Sequence, residues 1–192
     1  MPILPFGSRP AAGGARLGIK KRRTALGIGA ITLSWVLWSL PQPSNDRDWV
    51  LNQAVLPTAQ FWGDSVRIRN VRNTRYESVE VYEPRYEDRV YDLRRLVRAW
   101  FIVEPFSDFG GAAHTFLSFE FEAAPGRTED AEPRFVAISV EIRKEEGEGF
   151  SPLRGLLKQY EVMYVVADEH DAIGLRANHR RDEVYLYPIT AP

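Results

Sequence analysis

Cysteine is absent from all 192 residues. The chain can therefore form no disulfide and supplies no thiol nucleophile of its own. Histidine is scarce too: His114, His170 and His179 are the only three, none at a recognised metal-ligand spacing, so no metal or other cofactor is expected. An excess of basic charge is also missing. The formal net charge is −1, and setting aside the six basic residues of the first 23 leaves 19 Lys and Arg against 26 acids, a charge of −7 on the remainder. That balance argues against nucleic acid as a partner. There is no internal repeat and no low-complexity segment. Long uncharged apolar runs are lacking as well, with one exception.

The exception is Thr24 to Leu40, TALGIGAITLSWVLWSL, about 17 residues without a charge, the short end of what crosses a bilayer. Arg9, Arg16, Lys20, Lys21, Arg22 and Arg23 precede it with no acid among residues 1–23, the asymmetry that holds a terminus in the cytoplasm. Trp35 and Trp38 favour the headgroup level near its other end, and Pro41 and Pro43 then stop a helix. No A-x-A-like cleavage site follows Leu40. The layout expected is a basic cytoplasmic tail over 1–23, one transmembrane helix over 24–41 and a soluble domain over 44–192 on the far side of the inner membrane. About 150 residues are enough for one sizeable core.

The soluble part reads as α+β. Residues 64–70 alternate as a half-exposed strand, and 78–82 form a second short one. Leu93, Leu96 and Val97 mark a short amphipathic helix within 91–100, followed by a strand over 99–103. Residues 114–122 (HTFLSFEFE) and 134–143 (RFVAISVEIR) alternate on either side of an acidic loop with Pro and Gly, a hairpin pattern. Leu117, Phe119, Phe121, Val136, Ile138, Val140 and Ile142 then share one face. His114, Phe116, Ser118, Ala137, Ser139 and Glu141 share the other. Ser151-Pro152 starts a helix with Leu153, Leu156, Leu157 and Tyr160 as its stripe; a buried strand over 162–166, a brief helix capped by Asp168 and a last strand over 183–187 complete the order.

His170 sits among Asp168, Glu169 and Asp171, acids that suit the start of a helix. The mixed charges of 143–148 and the arginines of NVRNTRY read as solvated turns. His114 differs, because it opens a strand directly after Gly110-Gly111-Ala112-Ala113, where small residues permit close approach of a substrate or another backbone. Glu141, on the same sheet face, is the candidate carboxylate to orient its imidazole. A structural histidine bonded to a loop carbonyl fits the same spacing.

The blocks NVRNTRYESVEVYEPRYEDRVYDL, AHTFLSFEF, AISVEIRKEEGEGFSPLRGLLKQYEVMYVVADEHD and LRANHRRDEVYLY, in that order over about residues 44–189, resemble the Lnb N-terminal periplasmic domain family. The resemblance implies a central antiparallel sheet in a partial, circularly permuted papain-like domain of the NlpC class. It also implies lipoprotein N-acyltransfer, in which a thiolate takes an acyl chain from phospholipid and passes it to the amine of a diacylated lipoprotein. The family's A-H-T-x-x-S-F histidine corresponds to His114, and Glu141, in the block ISVEIRKE, is the candidate orienting carboxylate by position and by its shared sheet face. The cysteine block that should follow, N-N-C-T-T-N, has no counterpart here. Three readings follow: an acyltransferase half-site whose nucleophile lies outside this chain, the chain being either a truncated form or one completed by a partner chain that carries the missing half; a non-catalytic truncated remnant or membrane-proximal binding module; or a cell-wall amidase or peptidase of the NlpC class. On the first, the last strand should lie incompletely covered at a sheet edge.

Overall fold

The computed structural model describes residues 13–38, 42–106, 110–123 and 134–190. It divides into two compact units, residues 1–42 and 43–192. Within the first, helix α1 spans Gly13–Trp38. It begins well ahead of Thr24, so its first eleven residues include Arg16 and the Lys20–Arg23 cluster. Only Thr24–Trp38 remains uncharged, about 22 Å at the rise of an α-helix, against a hydrocarbon core of about 30 Å. Among the described residues no helix is long and apolar enough to cross a membrane. Residues 1–12 and 39–41, which complete the expected tail and the end of that segment, lie outside the described residues.

The second unit is α+β, built on a mostly antiparallel eight-stranded sheet. Its strands are β1 (Thr58–Trp62), β2 (Ser65–Arg72), β5 (Tyr86–Asp92), β6 (Leu96–Pro105), β7 (Ala113–Phe121), β8 (Arg134–Arg143), β9 (Glu161–Ala167) and β10 (Tyr185–Ile189). The spatial order is β1-β2-β9-β8-β7-β6-β10, with β5 also on β2. A separate two-stranded ladder joins β3 (Arg75–Tyr76) to β4 (Tyr82–Glu83), so the strand expected over 78–82 is mostly the turn between them. The helix expected within 91–100 is also replaced. Leu93–Arg95 makes one 3-10 turn, capped by Asp92, and Leu96 already belongs to β6. Pairing with β7 along its length outweighs the local helical stripe.

The β7–β8 register, Leu117 opposite Ile138 and Phe119 opposite Val136, reproduces the two expected faces. One face packs Ile102, Phe116, Ala137, Met163 and Val165 against Ala172. That alanine lies on α3 (Glu169–Gly174), which runs into a π-helical turn over Leu175–Arg180. The other face gathers Val66, Ile68, Val71, Tyr91, Phe121, Val136 and Val166 where β2 and β5 curl over the sheet. β10 is exposed at every residue.

Two polar anchors hold the periphery. Arg143, fully buried at the end of β8, donates to the carbonyls of Ser44, Gln53 and Ala54 and to Asn45 Oδ1, with Trp49 stacked 4.2 Å away. These bonds fasten the entering segment across the sheet. Helix α2 (Pro152–Leu156) is capped by Ser151 but has only five residues. Its expected stripe does not form: Leu153, Leu156 and Leu157 are exposed and only Tyr160 is buried. The Tyr160 hydroxyl accepts from Ser151 N (2.7 Å) and donates to Gly149 O (3.0 Å). Tyr160→Phe should therefore cost about 1–2 kcal/mol, the penalty of an orphaned backbone group. A denaturant midpoint equal to that of the parent would refute the assignment.

Candidate functional site

Gly111, at φ +85°, occupies a conformation that side chains resist, and it closes the turn in which Phe106 N donates to Ala112 O. That turn starts β7, so His114 is its second residue. The ring packs on Phe116 (centroids 5.6 Å apart) and enters a cleft of about 550 Å3. Tyr76 and Tyr82 of the small ladder, Asn52 of the entering segment, Glu141 of β8 and Arg176 of the π-turn line the same cleft.

The structure brings His114 and Glu141 into one cleft but gives the imidazole a different partner. His114 Nε2 and Ser139 Oγ share a hydrogen bond of 2.8 Å. Glu141 instead accepts from Arg176 Nη2 at 2.9 Å. Arg176 also donates from Nε to Glu104 Oε2 (2.7 Å) and from Nη1 to Ala172 O (2.7 Å), and its guanidinium lies over the Phe116 ring. Glu104 is the direct cross-strand neighbour of His114. One arginine thus bridges two carboxylates beside the imidazole.

The electrostatics follow from that arrangement. Burial lowers the His114 pKa below its ordinary value, Arg176 and Arg180 push the same way, and Glu141 opposes them only in part. The ring is accordingly held neutral at neutral pH. Burial works against ionisation of Glu141, yet Arg176 and then Arg72 outweigh it, so its pKa is lowered. For Glu104 burial prevails over Arg176 and its pKa is raised.

Ser139 is 2% exposed, in the middle of a strand, so its hydroxyl is placed to hold the ring and not to attack a substrate. Ser118 is fully buried and donates to Glu169. In the tautomer in which Nε2–H donates to Ser139 Oγ, the lone pair of the neutral imidazole is on Nδ1, which is then its proton acceptor. Ser139→Ala should release the ring: nitrogen-15 spectra should change from a single tautomer to a mixture. An unchanged spectrum would mean that Ser139 does not set the tautomer.

Glu104 and Arg176 were not legible as site residues, since each is placed by a separate element. A pattern was present only for Ser139, two residues before Glu141 on the same face. Neither of the other histidines lines the cleft, although His179 packs on Tyr76, which does. His170 belongs to the first turn of α3, and the His179 ring meets Tyr76 at 5.8 Å. Among the described residues no group of three or more His, Asp and Glu is arranged to hold a metal ion.

Fold and site together define an α+β sheet domain with one neutral, hydroxyl-anchored histidine at a cleft. Residues 82–192 match the family described as Lnb N-terminal periplasmic domain, and the chain belongs to that family. The match begins at β4, so the NVRNTRY block lies ahead of it. No curated protein and no solved structure matches the chain.

Proposed function

We propose that this Lnb-type domain, held at the inner membrane by the segment 24–41, presents His114 as the base half of an acyl-transfer site whose thiol comes from a partner polypeptide. The observation that carries the reading is the His114–Ser139 bond at the cleft: Nε2 is the ring atom it engages, while burial and Arg176 keep the ring unprotonated. A base must be neutral to accept a proton. In the reaction Nδ1 takes the thiol proton, the thiolate attacks a phospholipid ester carbonyl, and the lysolipid alkoxide leaves with that proton to give a thioester. The amine of a diacylated lipoprotein then attacks the thioester, and the imidazole takes the amine's proton as the amide forms and the thiol is released. The permuted papain-like fold implied by the family resemblance is consistent with a histidine at the start of a sheet strand.

A second reading has its own support. With no cysteine in the chain, the cleft serves equally as a binding module that transfers nothing. Membranes containing the parent chain, His114→Ala, or neither separate the two. Mass spectrometry of lipoprotein N-termini should show N-acylation only with the parent chain. Equal acylation with the parent chain and His114→Ala would remove the catalytic role.

A further inference from the structure

On the sheet face opposite His114, β2 and β5 curl over β7, β8 and β9 to leave an open groove of about 430 Å3, within the range of small-ligand sites. Val66, Ile68, Val136 and Val166 form its buried floor. Phe61 and Tyr164 stand at its rim, 71% and 65% exposed.

Two observations select an occupant. The lining side chains are apolar apart from the hydroxyls of Thr58, Tyr91 and Tyr164. A peptide laid in such a groove would leave its backbone N–H and C=O groups unpaired, whereas an alkyl chain carries none. The apolar surface also continues past the groove. Val140 and Val162 flank Tyr164 on the same face and are exposed. At the tip of the β1–β2 hairpin Phe61 shares the groove face with Val66, and the next residue, exposed Trp62, projects from the hairpin's other face with the Arg67 guanidinium 6.0 Å from its ring. Exposed aromatics with an adjacent cation are the composition of surfaces that sit at lipid headgroups.

We propose that this face rests on a bilayer and that the groove takes one acyl chain of a bilayer phospholipid. The contact is a binding interaction on the far side of the sheet from His114, and it stands whether or not His114 is catalytic.

The test uses the full chain with labelled methyl groups in nanodiscs of phosphatidylcholine and phosphatidylglycerol. A trace of phospholipid carries a nitroxide near the end of one acyl chain. Methyl signals of Val66, Ile68, Val136 and Val166 should be lost, while those of Ile102 and Val165 on the opposite face persist. Ile138→Trp, which fills the groove, should restore the lost signals; if that variant does not fold, the parent measurement still decides. Because the chain has no cysteine, Leu33→Cys places a single nitroxide on α1. Loss of the groove signals to that label but not to the lipid label would show that the chain's own helix occupies the groove. That outcome overturns the proposal, as does a groove unaffected by either label.

Discussion

Asp171→Ala is expected to destabilise the second unit by about 3–5 kcal/mol, the cost of stripping one partner from a buried ion pair. Asp171 has no solvent exposure and accepts from Arg72 Nε and Nη2, at 3.1 and 2.8 Å to Oδ1. Its other oxygen accepts from Thr74 N at 2.7 Å. Arg72 is the last residue of β2, where that strand meets β9 in one parallel pair with Ala167. Its carbonyl accepts from Asp168 N, and its Nη1 donates to Asn52 O. One carboxylate therefore ties the β2 arm, the start of β3, α3 and the entering segment. Without it a guanidinium stays buried and the Thr74 N–H loses its acceptor. Asp171→Asn keeps an acceptor for Thr74 and should cost less than the alanine. Replacing both partners by apolar residues should recover much of the loss, because two buried charges are removed together. Urea denaturation of the four proteins checks the order. A loss below about 1 kcal/mol for Asp171→Ala would mean that Arg72 finds another counter-charge or reaches water.

The elements legible in the sequence are those fixed by local period. The alternation of β7 and β8 has period two, and once the loop joins them the register can place Ser139 and His114 on one face. The helix cap at Ser151 is equally readable, but its leucines stay exposed, because five residues are too few to present a stripe to the sheet. Residues 91–100 failed for a different reason: their helical spacing is real, yet partners distant in sequence recruit them as strands. The orienting group of His114 could not be chosen from the sequence. Ser139 and Glu141 sit two residues apart on one face, and what removes Glu141 from the imidazole is Arg176, delivered from the π-turn after α3.

Arg176→Met should be comparably destabilising at neutral pH, about 3–5 kcal/mol, and its penalty should depend on pH in a way that identifies the cause. The substitution leaves Glu104 and Glu141 buried without their shared cation. Glu104 then keeps only the ion pair with Arg180 at 3.8 Å and Glu141 only the charge of Arg72, so burial should raise both pKa values above those of the unfolded chain and the folded variant binds the extra protons. Stability of the variant should then rise as pH falls through those raised values, and the penalty should be smaller at pH near 5 than near 8. The parent behaves oppositely in the His114 range. Its folded imidazole pKa is lowered, so the contribution from His114 is fully present above the unfolded value near 6.5 and is lost as pH falls toward the folded one. With Arg176 gone the ring loses one depressing charge and keeps Glu141, so the His114 pKa should move up. Denaturation at the two pH values and a titration of the His114 ring measure the two effects on one variant. A pH-independent penalty with an unmoved imidazole would assign Arg176 a packing role over Phe116 and not the electrostatic role that keeps His114 neutral.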